Sequence, residues 1–164
     1  MSDSSADHIK PKIMLEIVTP YQHFYEGRVE SVILTSLDGE LGVLPGHAPL
    51  VVALTPGITK ISVDGSDKYA MLTEGFAEIS QHLVLVVCNA AEWPEEIDVK
   101  RAKDAYDRAY ERYHNATFNT EESVFSRHSM RRARERLHAI SDHGTEKQKK
   151  ALNKLSNKKT QPSS

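Results

Sequence analysis

The stretch Ser36-Leu37-Asp38-Gly39-Glu40-Leu41-Gly42-Val43-Leu44-Pro45-Gly46-His47-Ala48-Pro49-Leu50 reads as turn, short strand, turn, strand. Asp38-Gly39 is a tight-turn pair, because glycine accepts φ > 0 and aspartate hydrogen-bonds the backbone beyond it. Glu40 to Leu44 alternates loosely between polar and apolar, as a short strand does. Pro45-Gly46 is a second turn. Pro49 removes a donor, which suits an edge or a corner. Rigid residues at every corner give a surface segment of defined shape, fit for docking.

The flanks keep the strand period. Ile13, Leu15 and Ile17 alternate with Met14, Glu16 and Val18, and Pro20 stops the run. Tyr21 to Glu26 is a second strand, with Gly27 as a turn or bulge, and Val29 to Thr35 is a third. Beyond the opening stretch, Leu50 to Leu54 closes at Thr55-Pro56-Gly57. Ile58 to Val63 and Lys68 to Leu72 flank the hairpin signal Asp64-Gly65. Glu74-Gly75 breaks the next run, Phe76 to Ile79 follows, and Leu83 to Cys88 is the last and most apolar strand. Many short strands with turn signals predict an antiparallel sandwich or barrel, and Ile13 to about Ala90 suffices for one core between two sheets.

Trp93-Pro94 marks a boundary, and from Ile97 the period becomes helical. Asp98 is an N-cap, followed by Ala102, Ala105 and Ala109 and by Tyr106, Tyr110 and Tyr113 at helical spacings. This helix ends near His114-Asn115. Thr120-Glu121-Glu122-Ser123 opens a second, with Phe125, Ala133, Leu137 and Ile140 as a thin apolar stripe, and Asp142-His143-Gly144 ends it. The pair predicts a helical hairpin over residues 97–141. Its second helix is poor in large apolar residues, so its stability depends on what it packs against. That suits a mobile element, or an ordinary amphipathic hairpin resting permanently on the sandwich. Residues 1–12 read as a polar, disordered arm. Residues 142–164 read as a basic, solvated tail, although Lys147 to Lys154 can extend a helix. No aromatic is interleaved with its lysines, which argues against nucleic acid as a partner.

Hydrophobic residues make up 39% of the chain and charged residues 27%, a globular composition. The lone Cys88 excludes an internal disulfide, and its apolar setting predicts a buried structural thiol. Residues 1–12 lack the apolar core of a signal peptide, and no apolar run reaches the roughly 20 residues of a membrane span. Membrane association is therefore expected only through partner subunits. Residues 1–96 carry five Lys/Arg against fourteen Asp/Glu, and residues 97–164 carry sixteen against nine. An acidic first part and a basic second part can fold onto one another, or each can face its own partner.

No catalytic constellation is visible. The eight histidines are scattered without metal-ligand spacing, so no metal site is expected. There is no nucleophile elbow and no glycine-rich phosphate loop. One cluster deserves weighing. Arg101 and Arg108 are seven apart, and Arg132 and Arg136 four apart, so each pair shares a helical face. In an antiparallel hairpin the four guanidiniums can converge on a triphosphate. The ordinary alternative is a solvated face with Asp104–Arg108 as an i, i+4 pair.

The run Asp38 to Leu50 resembles the signature of the epsilon subunit of F-type ATP synthases, called delta in mitochondria. Ile17-Val18-Thr19-Pro20, Phe24-Tyr25-Glu26-Gly27 with Val29-Glu30, and Pro56-Gly57 resemble the family in the same order. Glu74-Gly75-Phe76 keeps only the second glycine of the family's Gly-Gly-Phe. The resemblance implies an all-β antiparallel sandwich of about ten strands over residues 13–92, followed by a C-terminal α-helical hairpin. It implies a non-catalytic rotor subunit of the proton-translocating F-type ATP synthase, at the cytoplasmic face of the bacterial inner membrane. The expected partners are the gamma subunit, the c-ring and, for an extended hairpin that restrains hydrolysis, the alpha/beta catalytic head. By position Asp38, Glu40 and His47 match the loop that faces the c-ring. Ile97-Asp98-Val99-Lys100-Arg101-Ala102 matches the family's regulatory ATP motif, with Glu92, Arg108, Arg132 and Arg136 at its further charged positions. A different class, a free-standing β-sandwich ligand-binding module with a helical oligomerisation tail, is the alternative.

Overall fold

The computed structural model describes residues 11–157. Ten of the arm's residues, 1–10, and residues 158–164 of the tail lie outside them. Among the described residues the strands come first: β1 (Ile13–Val18), β2 (His23–Val29), β3 (Ser31–Ser36), β4 (Gly39–Val43), β5 (Leu50–Leu54), β6 (Gly57–Val63), β7 (Ser66–Leu72), β8 (Gly75–Ile79), β9 (Leu83–Cys88) and β10 (Ala91–Glu92). They form one hydrogen-bonded path, β10-β7-β6-β3-β5-β8-β9-β1-β2, with β4 paired to β3 beside it. The path closes on itself as a sandwich verging on a barrel. The Glu30 amide donates to Ser62 O at 2.8 Å, and Lys12 pairs with Asp64 at 2.5 Å, which brings β1 and β2 back to β6.

A single buried cluster fills the interior, drawn from both ends of the path: Ile13, Leu15 and Ile17 of β1, Val32 and Leu34 of β3, Ile61 of β6, Ile79 of β8, and Val84 and Val86 of β9. Burial in β1 and β9 falls on every second residue, because successive side chains point to opposite faces. One ladder departs from the antiparallel pattern: β1 runs parallel to β9, with Met14 opposite Leu83 and Val18 opposite Val87. Gly27 makes no turn. It lies inside β2 opposite Leu15, and the register irregularity falls between Ile17 and Val18.

The opening stretch forms as its turn residues require. At the β3–β4 corner the Ser36 hydroxyl donates to Gly39 O at 2.7 Å and accepts from the Asp38 amide at 3.2 Å. Gly39 has φ +120° and Gly46 +81°, values that cost a residue with a Cβ but not glycine. The Gly46 amide donates to Gln81 O at 3.0 Å, which ties the second corner to the β8–β9 turn.

A short 3-10 turn, Pro94–Glu96, leads into α1 (Val99–Asn115), α2 (Glu121–His143) and α3 (Glu146–Asn157). Asp98 caps α1 by accepting from the Arg101 amide at 2.8 Å, and Thr120 caps α2 by accepting from the Ser123 amide at 3.3 Å. Two expectations change here. The α2 stripe loses Phe125, which is 60% exposed, and gains the small residues Ser123, Ser126 and Ala139. Small residues let α2 approach Ala102 and Ala109 of α1 closely, where a Phe would hold it off. The tail from residue 142 is also more than solvated chain: residues 146–157 are helical and pack on the hairpin through Leu152.

Candidate functional site

The hairpin lies on the outer face of β6 and β7. Ile58 and Met71 face each other across that ladder and meet Ile97, Ala102, Ala139 and Ile140 in a second, smaller buried cluster. Tyr69, two residues before Met71 on the same face, stacks on His143 at the end of α2, with centroids 3.6 Å apart and rings 9° from parallel. Burial holds the His143 imidazole below its ordinary pKa. Two ion pairs frame the contact. Arg132 reaches Glu74 Oε1 at 2.9 Å, and Arg136 reaches Glu92 Oε2 at 2.5 Å. The acidic first part and the basic second part of the chain are thus folded onto one another at this seam.

The seam brings together only some of the nucleotide-motif residues. Ile97 and Ala102 are packed in the small cluster, and Glu92 sits beside them on β10, which pairs with β7 through Met71. Asp98 is occupied as the α1 cap. Arg132 and Arg136 face sandwich carboxylates, whereas Arg101 and Arg108 are exposed. Asp104 stands 4.0 Å from Lys100, the i, i+4 partner on its N-terminal side, in place of the Asp104–Arg108 pair. Arg136 uses only its Nε toward Glu92, and Arg132 uses one NH2 group toward Glu74 and the other toward Ser129, so both guanidiniums keep unused donors.

The three opening-stretch residues expected to face the c-ring lie at different ends of β4. Asp38 and Glu40 are exposed at its start, and His47 is half-buried in the turn beyond its end, where its amide donates to Leu44 O. His47 Nδ1 is 2.7 Å from Ala48 O, an acceptor only, so Nδ1 carries the proton.

Sequence reasoning missed an exposed surface on β5, β8 and β9, further along the strand path from the hairpin. Val51 and Ala53 of β5 point outward beside Phe76 of β8, and Leu37 joins them where its amide donates to Ala53 O. Val51 and Leu37 are each 69% exposed and Phe76 45%. Leu85 and Val87 of β9 continue the face as the cross-strand partners of Glu78 and Phe76. The signal was present: Leu50 to Leu54 and Leu83 to Val87 are apolar at consecutive positions, the pattern of a strand covered on both faces. Cys88 plays no part in this face. Its thiol is buried and pushed up to about 11 by that burial, so it is a packing group.

A sandwich with a hairpin on one outer face and an uncovered, largely apolar surface around Glu78 on another has the anatomy of a docking subunit. Comparison with known proteins agrees. The β-sandwich domain of the ATP synthase delta/epsilon chain matches residues 12–94, and the long alpha-helix domain of the same chain matches residues 95–141. The ATP synthase epsilon chain of Caldanaerobacter subterraneus subsp. tengcongensis is 39% identical over 128 residues, which cover 77% of this chain and 92% of that one. The ATP synthase epsilon chain of Ruminiclostridium cellulolyticum is 43% identical over 127 residues, covering 77% and 94%. A chain in the Euglena gracilis mitochondrial ATP synthase structure, OSCP/F1/c-ring in rotational state 1, shares the fold, with a TM-score of 0.70 at 22% identity over 85% of this chain and 89% of that one.

The chain belongs to the ATP synthase delta/epsilon chain family. It is a non-catalytic, central-stalk subunit of that complex, which sets aside the free-standing module. Among the described residues no helix is long and apolar enough to cross a membrane.

Proposed function

We propose that the sandwich docks on the gamma subunit and on the polar loops of the c-ring, and that the hairpin restrains ATP hydrolysis when it leaves the sandwich for the alpha/beta catalytic head. The bare outer face of β5, β8 and β9 carries the docking part of this reading. Exposed apolar surface marks an interaction site, and Leu37, Val51 and Phe76 supply it here, with the Glu78 carboxylate between Val51 and Leu85 as the one exposed charge, among the described residues, of those three strands' outer rows. This face takes gamma, and the exposed carboxylates of Asp38 and Glu40 at the β3–β4 corner take the c-ring. The subunit then sits at the cytoplasmic face of the bacterial inner membrane, held there by its partners. Val51→Lys and Phe76→Asp each lower affinity for gamma about tenfold or more, as removal of an interface anchor does. Unfolding free energy stays within about 0.5 kcal/mol, since both side chains are outside the core. Wild-type affinity in both variants overturns the assignment of this face.

The thin hairpin contact supports the braking part. Among the described residues the buried seam consists of Met71, Ile97, Ala102, Ala139 and Ile140, with Ile58, Val99, Leu137 and Leu152 partly buried against them, so the folded and released forms need differ by only a few kcal/mol. Deleting residues 97–164 raises ATPase activity of the complex, and unchanged activity rejects the brake. Regulatory ATP, if taken by Glu92, Ile97, Asp98, Arg101, Ala102, Arg108, Arg132 and Arg136, favours whichever hairpin state binds it more tightly. Titration of the isolated chain with ATP tests this beside Arg101→Ala and Arg132→Ala. Equal binding by all three rejects those ligands.

A further inference from the structure

Helix α3 lies beyond residue 141, where the matched family domains end. Thr145 starts it through a capping box. The Gln148 amide donates to Thr145 Oγ1 at 3.3 Å, while Gln148 Oε1 accepts from the Thr145 amide at 2.8 Å and its hydroxyl at 2.9 Å. The cap fixes the orientation of the Gln148 side chain, because its oxygen must face Thr145. Its NH2 group therefore faces the linker between sandwich and hairpin. There Nε2 lies 3.0 Å from Pro94 O, 3.1 Å from Glu95 O and 2.9 Å from Ile97 O. One turn later, Leu152 packs on the cluster of Met71, Ile97, Ala102, Ala139 and Ile140. Lys149 Nζ, 3.4 Å from Asp142 O, holds the start of α3 to the end of α2.

We propose that α3 is an intramolecular clip that joins the free end of the hairpin to its own hinge, so that the hairpin cannot leave the sandwich until α3 undocks. The geometry is that of a closed loop: linker, α1, α2, α3 and back to the linker through Gln148. Residues 93–98 are the only covalent connection between sandwich and hairpin, so any swing of the hairpin turns about them. A side chain whose two N–H donors are shared among carbonyls 94, 95 and 97 opposes that turn. Leu152 adds apolar area to the seam of Met71, Ile97, Ala102, Ala139 and Ile140. The regulatory consequence rests on the reading of the hairpin as a brake; the clip itself does not.

The test is hydrogen exchange on the full-length chain, comparing wild type with Gln148→Glu and Leu152→Ser. Gln148→Glu keeps the oxygen that caps α3 and removes the donors to the linker. Both variants should exchange about five- to tenfold faster in the linker, α1 and the second half of α2, the factor expected for one lost hydrogen-bonding group. Strands β1, β8 and β9 should keep wild-type protection. Unchanged protection of α1 and α2 in both variants overturns the clip, and so does equal acceleration in the sandwich. In the reconstituted complex, Gln148→Glu should lower ATPase activity. Faster exchange with unchanged ATPase keeps the clip and removes the brake.

Discussion

Arg136 on α2 and Glu92 on β10 form an ion pair that fastens the last strand of the sandwich to the second helix of the hairpin. The two residues are 44 positions apart, and each side chain keeps only a quarter to a third of its exposure. Replacing either one strands a half-buried charge. Glu92→Gln or Arg136→Met should weaken hairpin docking by about 1 kcal/mol, the value of one charge-assisted hydrogen bond less solvent screening. A double-mutant cycle read by hydrogen exchange in α2 should give a coupling of about 0.5–1 kcal/mol. Zero coupling would mean that the pair is not made in solution.

Asp98 has two possible duties, as helix cap and as part of a nucleotide motif, and substitutions divide them. Its carboxylate accepts from the Arg101 amide. Asp98→Asn keeps the cap and should leave hairpin stability within a few tenths of a kcal/mol, whereas Asp98→Ala should cost about 1 kcal/mol. Thermal unfolding of both variants followed by circular dichroism measures the difference. Equal loss in both would show that charge, rather than capping, matters at this position.

His143 makes the end of α2 sensitive to pH. Desolvation holds its pKa below the ordinary 6.5, with Lys149 and His138 acting in the same direction and Asp142 opposing them. The folded protein therefore binds this proton less readily than the unfolded chain does. The stack on Tyr69 contributes fully above about pH 6.5, and its contribution is lost as pH falls through the folded-state pKa. An NMR titration of the His143 ring should give a midpoint under 6.5, and His143→Phe should remove the associated pH dependence of α2 exchange. A midpoint at or above 6.5 contradicts the burial argument.

Gly75 admits no side chain. A Cβ there would stand 2.0 Å from Val87 O and 2.7 Å from Cys88 Cα, both backbone atoms of the paired strand. Gly75→Ala should destabilise the sandwich by about 3 kcal/mol, at the upper end of overpacking costs. Gly42, with nothing within 4 Å, is the control, and Gly42→Ala should shift urea unfolding by less than about 0.5 kcal/mol.

The β period, the two corner glycines of the opening stretch, both helix caps and the helix ends were legible, because each is written within a few neighbouring residues. What escaped depends on residues distant in sequence. Glu74 looked like a departure from a glycine pair, and its use as the partner of Arg132, 58 positions away, shows only once α2 is docked. Phe125 kept helical spacing with Ala133 and Ile140, yet the close approach of α1 and α2 selects small residues and turns the ring outward. Two-residue β10 is too short to carry a period. The lysines of α3 masked Gln148 and Leu152, whose partners lie in the linker and the seam. At the candidate nucleotide site the motif was readable, but the carboxylates that already hold Arg132 and Arg136 were not.

The parallel ladder of β1 on β9 has a consequence for how the chain is made. Strand β1 rests between β2 and a strand about 70 residues later, so this interior stays open until Cys88 has emerged from the ribosome. Contacts of such separation form slowly, while α1 and α2 can form in microseconds from neighbours in sequence. Both helices follow β9 in the chain, so they leave the ribosome only after every strand they rest on. The basic hairpin therefore meets an acidic sandwich whose strands are all available, and its docking is the last step of assembly rather than the first.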